Sequence, residues 1–152
     1  DIGYNTLDLA VFDSLEYIGQ KSTSFSNSGM FSVYSALAQE IFRGFGLEVP
    51  TEQIDSIAQT KKIMIAGKNH DIARQFQAAS VAAAEQIIAR IRNTWPDIWA
   101  MEKIILTGGG SIVLQQALLP LFERDQAVIA QDPVLSNANG YLKYAHGVWK
   151  GE

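Results

Sequence analysis

Asp1-Ile2-Gly3-Tyr4-Asn5-Thr6-Leu7-Asp8 reads as a strand, a tight turn bearing a carboxylate, and a returning strand that continues through Leu9-Ala10-Val11-Phe12. Far downstream, Lys103-Ile104-Ile105-Leu106-Thr107 reads as a buried strand running into Gly108-Gly109-Gly110-Ser111 and a helix. A carboxylate at a strand end suits a hydrated divalent metal. A glycine turn that opens a helix lets backbone N–H groups approach a phosphate or nucleoside with no Cβ in the way. Both features in one small α/β unit point to one side of a nucleotide cleft.

Working outward, the chain of 152 residues is of ordinary size for a single domain, residues 1–152. Hydrophobic residues make up 47% and charged residues 18%, a globular composition rather than a disordered one. Cysteine is absent, which excludes a disulfide framework and a thiolate metal site, and fits a cytoplasmic setting. No apolar run approaches the length of a membrane span. The net charge of −4 argues against a broad basic face for nucleic acid, and Lys61-Lys62 with Lys68 is too small a cluster to supply one. The chain opens on the acidic turn itself, so it reads as one lobe of a longer protein.

Along the chain, residues 17–26 read as a third, more polar strand near a sheet edge. A helix is expected over residues 28–43. Met30, Tyr34, Leu37 and Ile41 form its apolar stripe, Phe31, Ala38 and Phe42 widen it, and Gly44 and Gly46 end it. Thr51 is expected to N-cap a short helix with Ile54, Ile57 and Ala58 on its apolar side. Residues 62–67 look extended. The longest helix should span residues 71–93, with Ile72, Phe76, Ala79, Ala83, Ile87 and Ile91 inward, until Thr94-Trp95-Pro96-Asp97 breaks it. A helix from Ser111 to about Leu119, an extended piece near residues 127–130 and a last helix over residues 136–148 complete the order. Hairpin strands followed by alternating helices and buried strands predict an α/β fold, a mixed sheet flanked by helices.

Asp1, Gly3, Thr6 and Asp8 in their Asp-x-Gly-x-x-Thr-x-Asp spacing resemble the second phosphate motif of the actin, sugar-kinase and heat-shock-chaperone ATPase superfamily. Residues 104–111 are similar to its adenosine motif. Asp132-Pro133-Val134-Leu135-Ser136-Asn137-Ala138-Asn139-Gly140-Tyr141 resembles the closing segment of ParM/StbA-type actin-like proteins. The motifs occur in the superfamily's order along the whole chain.

The resemblance implies the ribonuclease-H-like second lobe of an actin-like ATPase, with ATP or GTP and Mg²⁺ held between this lobe and a first lobe outside the chain. Asp1 would act catalytically, holding water around Mg²⁺. The backbone of Gly3 and Asn5 and the side chain of Thr6 would face the phosphates. Gly108, Gly109 and Gly110 would back the adenosine, with Ser111 at the helix start. The implied partners are further copies in a filament, with DNA reached only through an adaptor as in plasmid segregation. A sugar- or acetate-kinase lobe and a non-catalytic actin-like scaffold are the alternatives, the second kept open by Tyr4 in the phosphate turn. Relatives carry further glycines in that turn, so Asn5 is expected to take any left-handed position there.

Other residues read as structural. Asp8 is expected to bond the turn's amides. His70 and His146 lack ligand-spaced partners, Lys61 and Lys62 read as solvated surface, and Trp95, Trp99 and Trp149 read as packing at helix ends.

Overall fold

The computed structural model describes residues 1–149, with side chains as far as Gly147. β1 (Thr6–Leu9) is followed by a small hairpin of β2 (Phe12–Asp13) and β3 (Glu16–Tyr17), then by the edge strand β4 (Thr23–Ser26). α1 (Met30–Phe45) and α2 (Thr51–Thr60) lead into the hairpin of β5 (Lys62–Ile65) and β6 (Lys68–Asp71). The long α3 (Ala73–Thr94), β7 (Ile104–Leu106), α4 (Gly109–Leu118), β8 (Ala127–Ile129) and α5 (Ser136–Trp149) follow.

β1 and β4 pair antiparallel, with Thr6 opposite Ser26 and Leu9 opposite Thr23. β7 and β8 pair parallel, with Ile104 opposite Ala127. Residues 1–3 join these pairs into one layer. Ile2 bridges Leu7 on one side, and on the other its N–H donates to the Thr107 carbonyl at 2.8 Å. The spatial order is therefore β4, β1, residues 1–3, β7, β8, the mixed sheet the sequence predicts.

Alternation within the strands decides what faces what. Leu7 and Leu9 are buried while Thr6 and Asp8 are half-buried; Ile104 and Leu106 are buried while Ile105 is exposed. The buried set packs with Met30 and Val33 of α1, Ala83, Ala84, Ile87 and Ile91 of α3, and Leu114 and Leu118 of α4. A fully buried Leu or Ile contributes about 1.5–3 kcal/mol, so this first core is the main support of the two turns at its edge. A second core lies along the other halves of the same helices, where Leu37 and Ile41 of α1 and Ile72 and Ala79 beside and within α3 meet Ile54, Ile57, Ala58 and Ile63.

Several local expectations are corrected. The polar stretch 17–26 is no single strand: β3 pairs back on β2, residues 19–21 form a 3₁₀ turn, and only Thr23–Ser26 joins the main sheet. Phe31 and Phe42 are exposed, and Val33 widens the α1 stripe instead. Gly44 lies inside α1; Gly46, left-handed at φ 68°, ends it. Thr51 is the first residue of α2, whose N-cap is Pro50 with no side-chain cap bond. β6 is too polar (Lys-Asn-His-Asp) to announce itself by alternation and forms by pairing with β5.

Among the tryptophans, Trp95 is buried and donates its indole N–H to the Lys21 carbonyl at 2.7 Å, whereas Trp99 is exposed. The expected packing of Trp149 falls beyond the described side chains. His70 sits on β6 with its ring edge-on to Phe45, and His146 is exposed on α5. Lys61 and Lys62 are exposed, Lys61 lying over the Phe76 ring.

Candidate functional site

The site forms where residues 1–6 lie against residues 107–111. Asp8 N–H donates to the Asp1 carbonyl at 2.9 Å, and the Asp1 nitrogen donates to the Asp8 carbonyl at 2.7 Å. This closed pair fixes the backbone that carries the Asp1 carboxylate. Its Oδ2 accepts from Thr107 Oγ1 at 3.3 Å and from Asn137 Nδ2 at 2.8 Å. Its Oδ1 accepts no hydrogen bond among the described residues and lies beside Gly108. Neither Thr107 nor Asn137 could be assigned from local pattern, because the contacts span more than a hundred residues of chain.

The first turn is tight without left-handed residues. Gly3 N–H donates to the Thr6 carbonyl at 3.0 Å, and none of Gly3, Tyr4 or Asn5 has a positive φ, so Asn5 is not needed for that purpose. All three turn carbonyls are taken by the entry to α1. Ser28 N–H donates to Asn5 O at 3.1 Å, Met30 N–H to Gly3 O at 3.0 Å, and Phe31 N–H to Tyr4 O at 2.8 Å. That approach requires Gly29, where a Cβ would overlap the Gly3 carbonyl oxygen and stand 2.8 Å from that of Thr6. The turn's outward polarity therefore lies in its amides: the N–H groups of Tyr4 and Asn5 meet no acceptor among the described residues.

The two side-chain hydroxyls at the turns are each engaged within the chain. The Thr6 hydroxyl donates to Asp8 Oδ2 at 2.9 Å, so Asp8 holds that hydroxyl rather than the turn's amides. Ser111 is fully buried and donates to the Gly108 carbonyl at 2.7 Å, so it braces the second turn from behind.

The second turn starts α4 two residues earlier than the sequence pattern indicates, with Gly108 as N-cap. Gly108 has φ 82°, ψ 158°, a region reserved for glycine. A Cβ there would also stand 2.5 Å from the Ile2 carbonyl oxygen. At Gly110 a Cβ would overlap Ile2 Cγ2, and Gly110 N–H donates to the Ile2 carbonyl at 2.9 Å. Gly109 is different. A Cβ there would meet nothing within 4 Å, and its N–H has no acceptor among the described residues.

These groups suit a polyphosphate with a hydrated cation. A lone carboxylate with one open oxygen does not cage a metal, and no cluster of three or more His, Asp or Glu side chains occurs among the described residues. Mg²⁺ characteristically keeps its waters and binds through one carboxylate and the phosphates. The amides of Tyr4, Asn5 and Gly109 offer unengaged donors, that of Gly109 with no side chain beside it.

The family model of the archaeal actin homologue MreB-like C-terminal domain matches residues 1–119. The chain belongs to that family of actin homologues. Its fold is close to that of solved actin-like proteins. A non-polymerisable quadruple mutant of pCBH ParM superposes with TM-score 0.81 at 24% identity over 97% of this chain and 45% of its own. ParM in a 15-stranded filament from Clostridium botulinum gives 0.81 at 23% identity over 97% and 44%. The archaeal actin homologue Ta0583, solved in complex with ADP, gives 0.78 at 23% identity over 96% and 48%. The chain thus spans less than half the length of each. No curated protein matches the sequence. The α/β, ribonuclease-H-like lobe with a mixed sheet flanked by helices is the actin-like one.

Proposed function

We propose that this chain is the second lobe of a filament-forming actin-like ATPase, residues 1–152 acting as one domain, with ATP bound in a cleft completed by a first lobe of the same protein. The observation that carries the reading is Asp1 Oδ1 open between two turns whose Tyr4, Asn5 and Gly109 amides are unengaged. The ADP complex of Ta0583 and the ParM filament support nucleotide use and self-association.

In this reading Asp1 orients water at the cation and phosphates, Thr107 and Asn137 hold its carboxylate in place, and the Tyr4 and Asn5 amides face the phosphates with Gly3 at the turn. Thr6 acts through Asp8. Gly109 is the close approach to the nucleoside side, with Gly108, Gly110 and Ser111 shaping the backbone behind it. Mg²⁺ would supply charge neutralisation at the phosphates. Phosphoryl transfer needs little covalent help from a protein, and fixed donors aimed at developing charge are its main source of rate. The cellular role best fitting the ParM likeness is cytoplasmic DNA segregation through an adaptor.

Adding Mg-ATP to the full-length protein should give a rise in light scattering accompanied by phosphate release. Polymer without phosphate release would leave the scaffold reading, and a phosphorylated sugar or acetate would replace the motor with a kinase.

A further inference from the structure

Tyr4 is the residue of the first turn that its phosphate role does not explain, since only its backbone serves that role. Its side chain is 57% exposed, yet it has a packing partner. The ring packs edge-on against Tyr34 of α1, with centroids 6.1 Å apart and planes at 61°. Tyr34 is half-buried, and its hydroxyl donates to Asp55 Oδ1 on α2. Asp55 Oδ2 in turn accepts from Gln59 Nε2 at 2.8 Å, one helical turn further along α2. Burial first, then the bond to and charge of Asp55, holds the Tyr34 phenol well above its ordinary range. It therefore remains a donor at any ordinary pH.

The backbone runs the same way. The three carbonyls of the turn are bonded to Ser28 and to Met30 and Phe31, the first two residues of α1, so the turn cannot shift without moving that end of the helix or breaking those bonds. The far half of α1, through Leu37 and Ile41, is buried in the second core with Ile54 and Ile57 of α2. Two parallel connections, one of backbone and one of side chains, thus join the turn to α2.

We infer that Tyr4 is a positioning residue that couples occupancy of the phosphate turn to α2, through its ring on Tyr34 and the Tyr34–Asp55 hydrogen bond. The inference rests on the nucleotide reading above and adds a route by which the second core senses the bound phosphates. Drawing the Tyr4 and Asn5 amides onto a phosphate fixes the Tyr4 ring. A fixed ring narrows the motion of Tyr34, and the hydrogen bond passes the restraint to Asp55. Coupling of this kind is a difference in free energy between sites, commonly equivalent to about 5–150-fold in an equilibrium.

The test is amide hydrogen exchange of α2 in the full-length protein, with and without Mg-ATP, in wild type, Tyr34→Phe, Tyr4→Ala and Tyr4→Phe. Tyr34→Phe keeps the ring and removes only the hydroxyl, so the fold is retained; nucleotide affinity should stay near wild type. In wild type, nucleotide should slow exchange across Thr51–Thr60 by about fivefold or more. Tyr34→Phe and Tyr4→Ala should each lose most of that slowing, leaving only what the backbone connection carries, and Tyr4→Phe should restore it because Tyr4 contributes a ring and not a hydroxyl. A merely structural role for Tyr34 would change exchange equally with and without nucleotide. If nucleotide binds and α2 slows as much in Tyr34→Phe as in wild type, the coupling is wrong while the nucleotide reading stands. If wild type binds no nucleotide at all, both fall together.

Discussion

The two turns that frame the site are held by opposite means. In the first, the protein grips the carbonyls of Gly3, Tyr4 and Asn5 through α1 and leaves amides outward. In the second, it grips side-chain space, because Gly108 and Gly110 are pressed onto Ile2 and Asp1 with no room for a Cβ. Within these turns the glycines divide by cause. Gly108 and Gly110 in the second turn, and Gly29 packed against the first, are required by the fold itself. Gly109 is not, and neither is Gly3, where a Cβ would make only ordinary contacts from 3.5 Å outward. In the nucleotide reading, Gly109 is the glycine of the second turn whose reason lies with the ligand rather than with the fold.

This contrast can be broken most decisively at Gly108. Gly108→Ala combines a glycine-only backbone conformation with a contact 2.5 Å from a backbone oxygen, and should cost about 3 kcal/mol or more. Denaturant melts of the full-length protein measure it; a loss below about 1 kcal/mol would show that the turn is free to relax. Next comes Asp1→Ala in the same protein. It should lower steady-state phosphate release about 10²-fold, near 2.7 kcal/mol, while nucleotide affinity changes far less. Hydrolysis at wild-type speed would make Asp1 a turn residue only.

Gly29→Ala should cost about 1–3 kcal/mol, because the Cβ meets backbone atoms of Gly3 and Thr6 that α1 holds in place. Thermal melts would count against the carbonyl grip if the variant matched wild type. Gly109→Val should disturb the fold least, shifting apo stability by less than about 1 kcal/mol, yet remove the Tm rise on adding Mg-ATP. An undiminished rise would return Gly109 to the status of an ordinary strand-to-helix link.

Much of this architecture is legible in the amino-acid sequence. The spacing of Asp1, Gly3, Thr6 and Asp8, and of the glycines after a buried strand, locates the two turns because strand ends and glycine punctuation are local signals. The apolar stripe of α3 is also local, and Ile72, Ala79, Ala83, Ile87 and Ile91 are all buried. Contacts between distant segments are what local pattern does not carry. Gly29 is a glycine because a turn far upstream crosses it (Met30 N–H to Gly3 O fixes the approach), and no window around Gly29 contains that fact. Asn137 reaches Asp1 for the same reason. Periodicity misplaces Phe31 and Phe42 because the edges of an apolar stripe are soft, and tertiary packing chooses Val33 instead. Thr6 and Ser111 do stand at the turns, but a hydroxyl's direction depends on acceptors, Asp8 Oδ2 and Gly108 O, that pattern alone does not rank.

The seating of residues 1–3 between β1 and β7 also bears on the order in which the molecule assembles. Their partners, Thr107 and Gly110, are more than a hundred positions away, whereas the second core gathers residues 37–79 from one continuous stretch. Closing a long loop must be compensated before its contacts form, so sequence-distant pairings come late. Pulse-labelled exchange during refolding should protect the amides of Ile41 and Ile57 before that of Ile2. On that timetable the second core is already a rigid body while the edge between residues 1–3 and the Thr107–Gly110 turn is still open, and the two turns meet last.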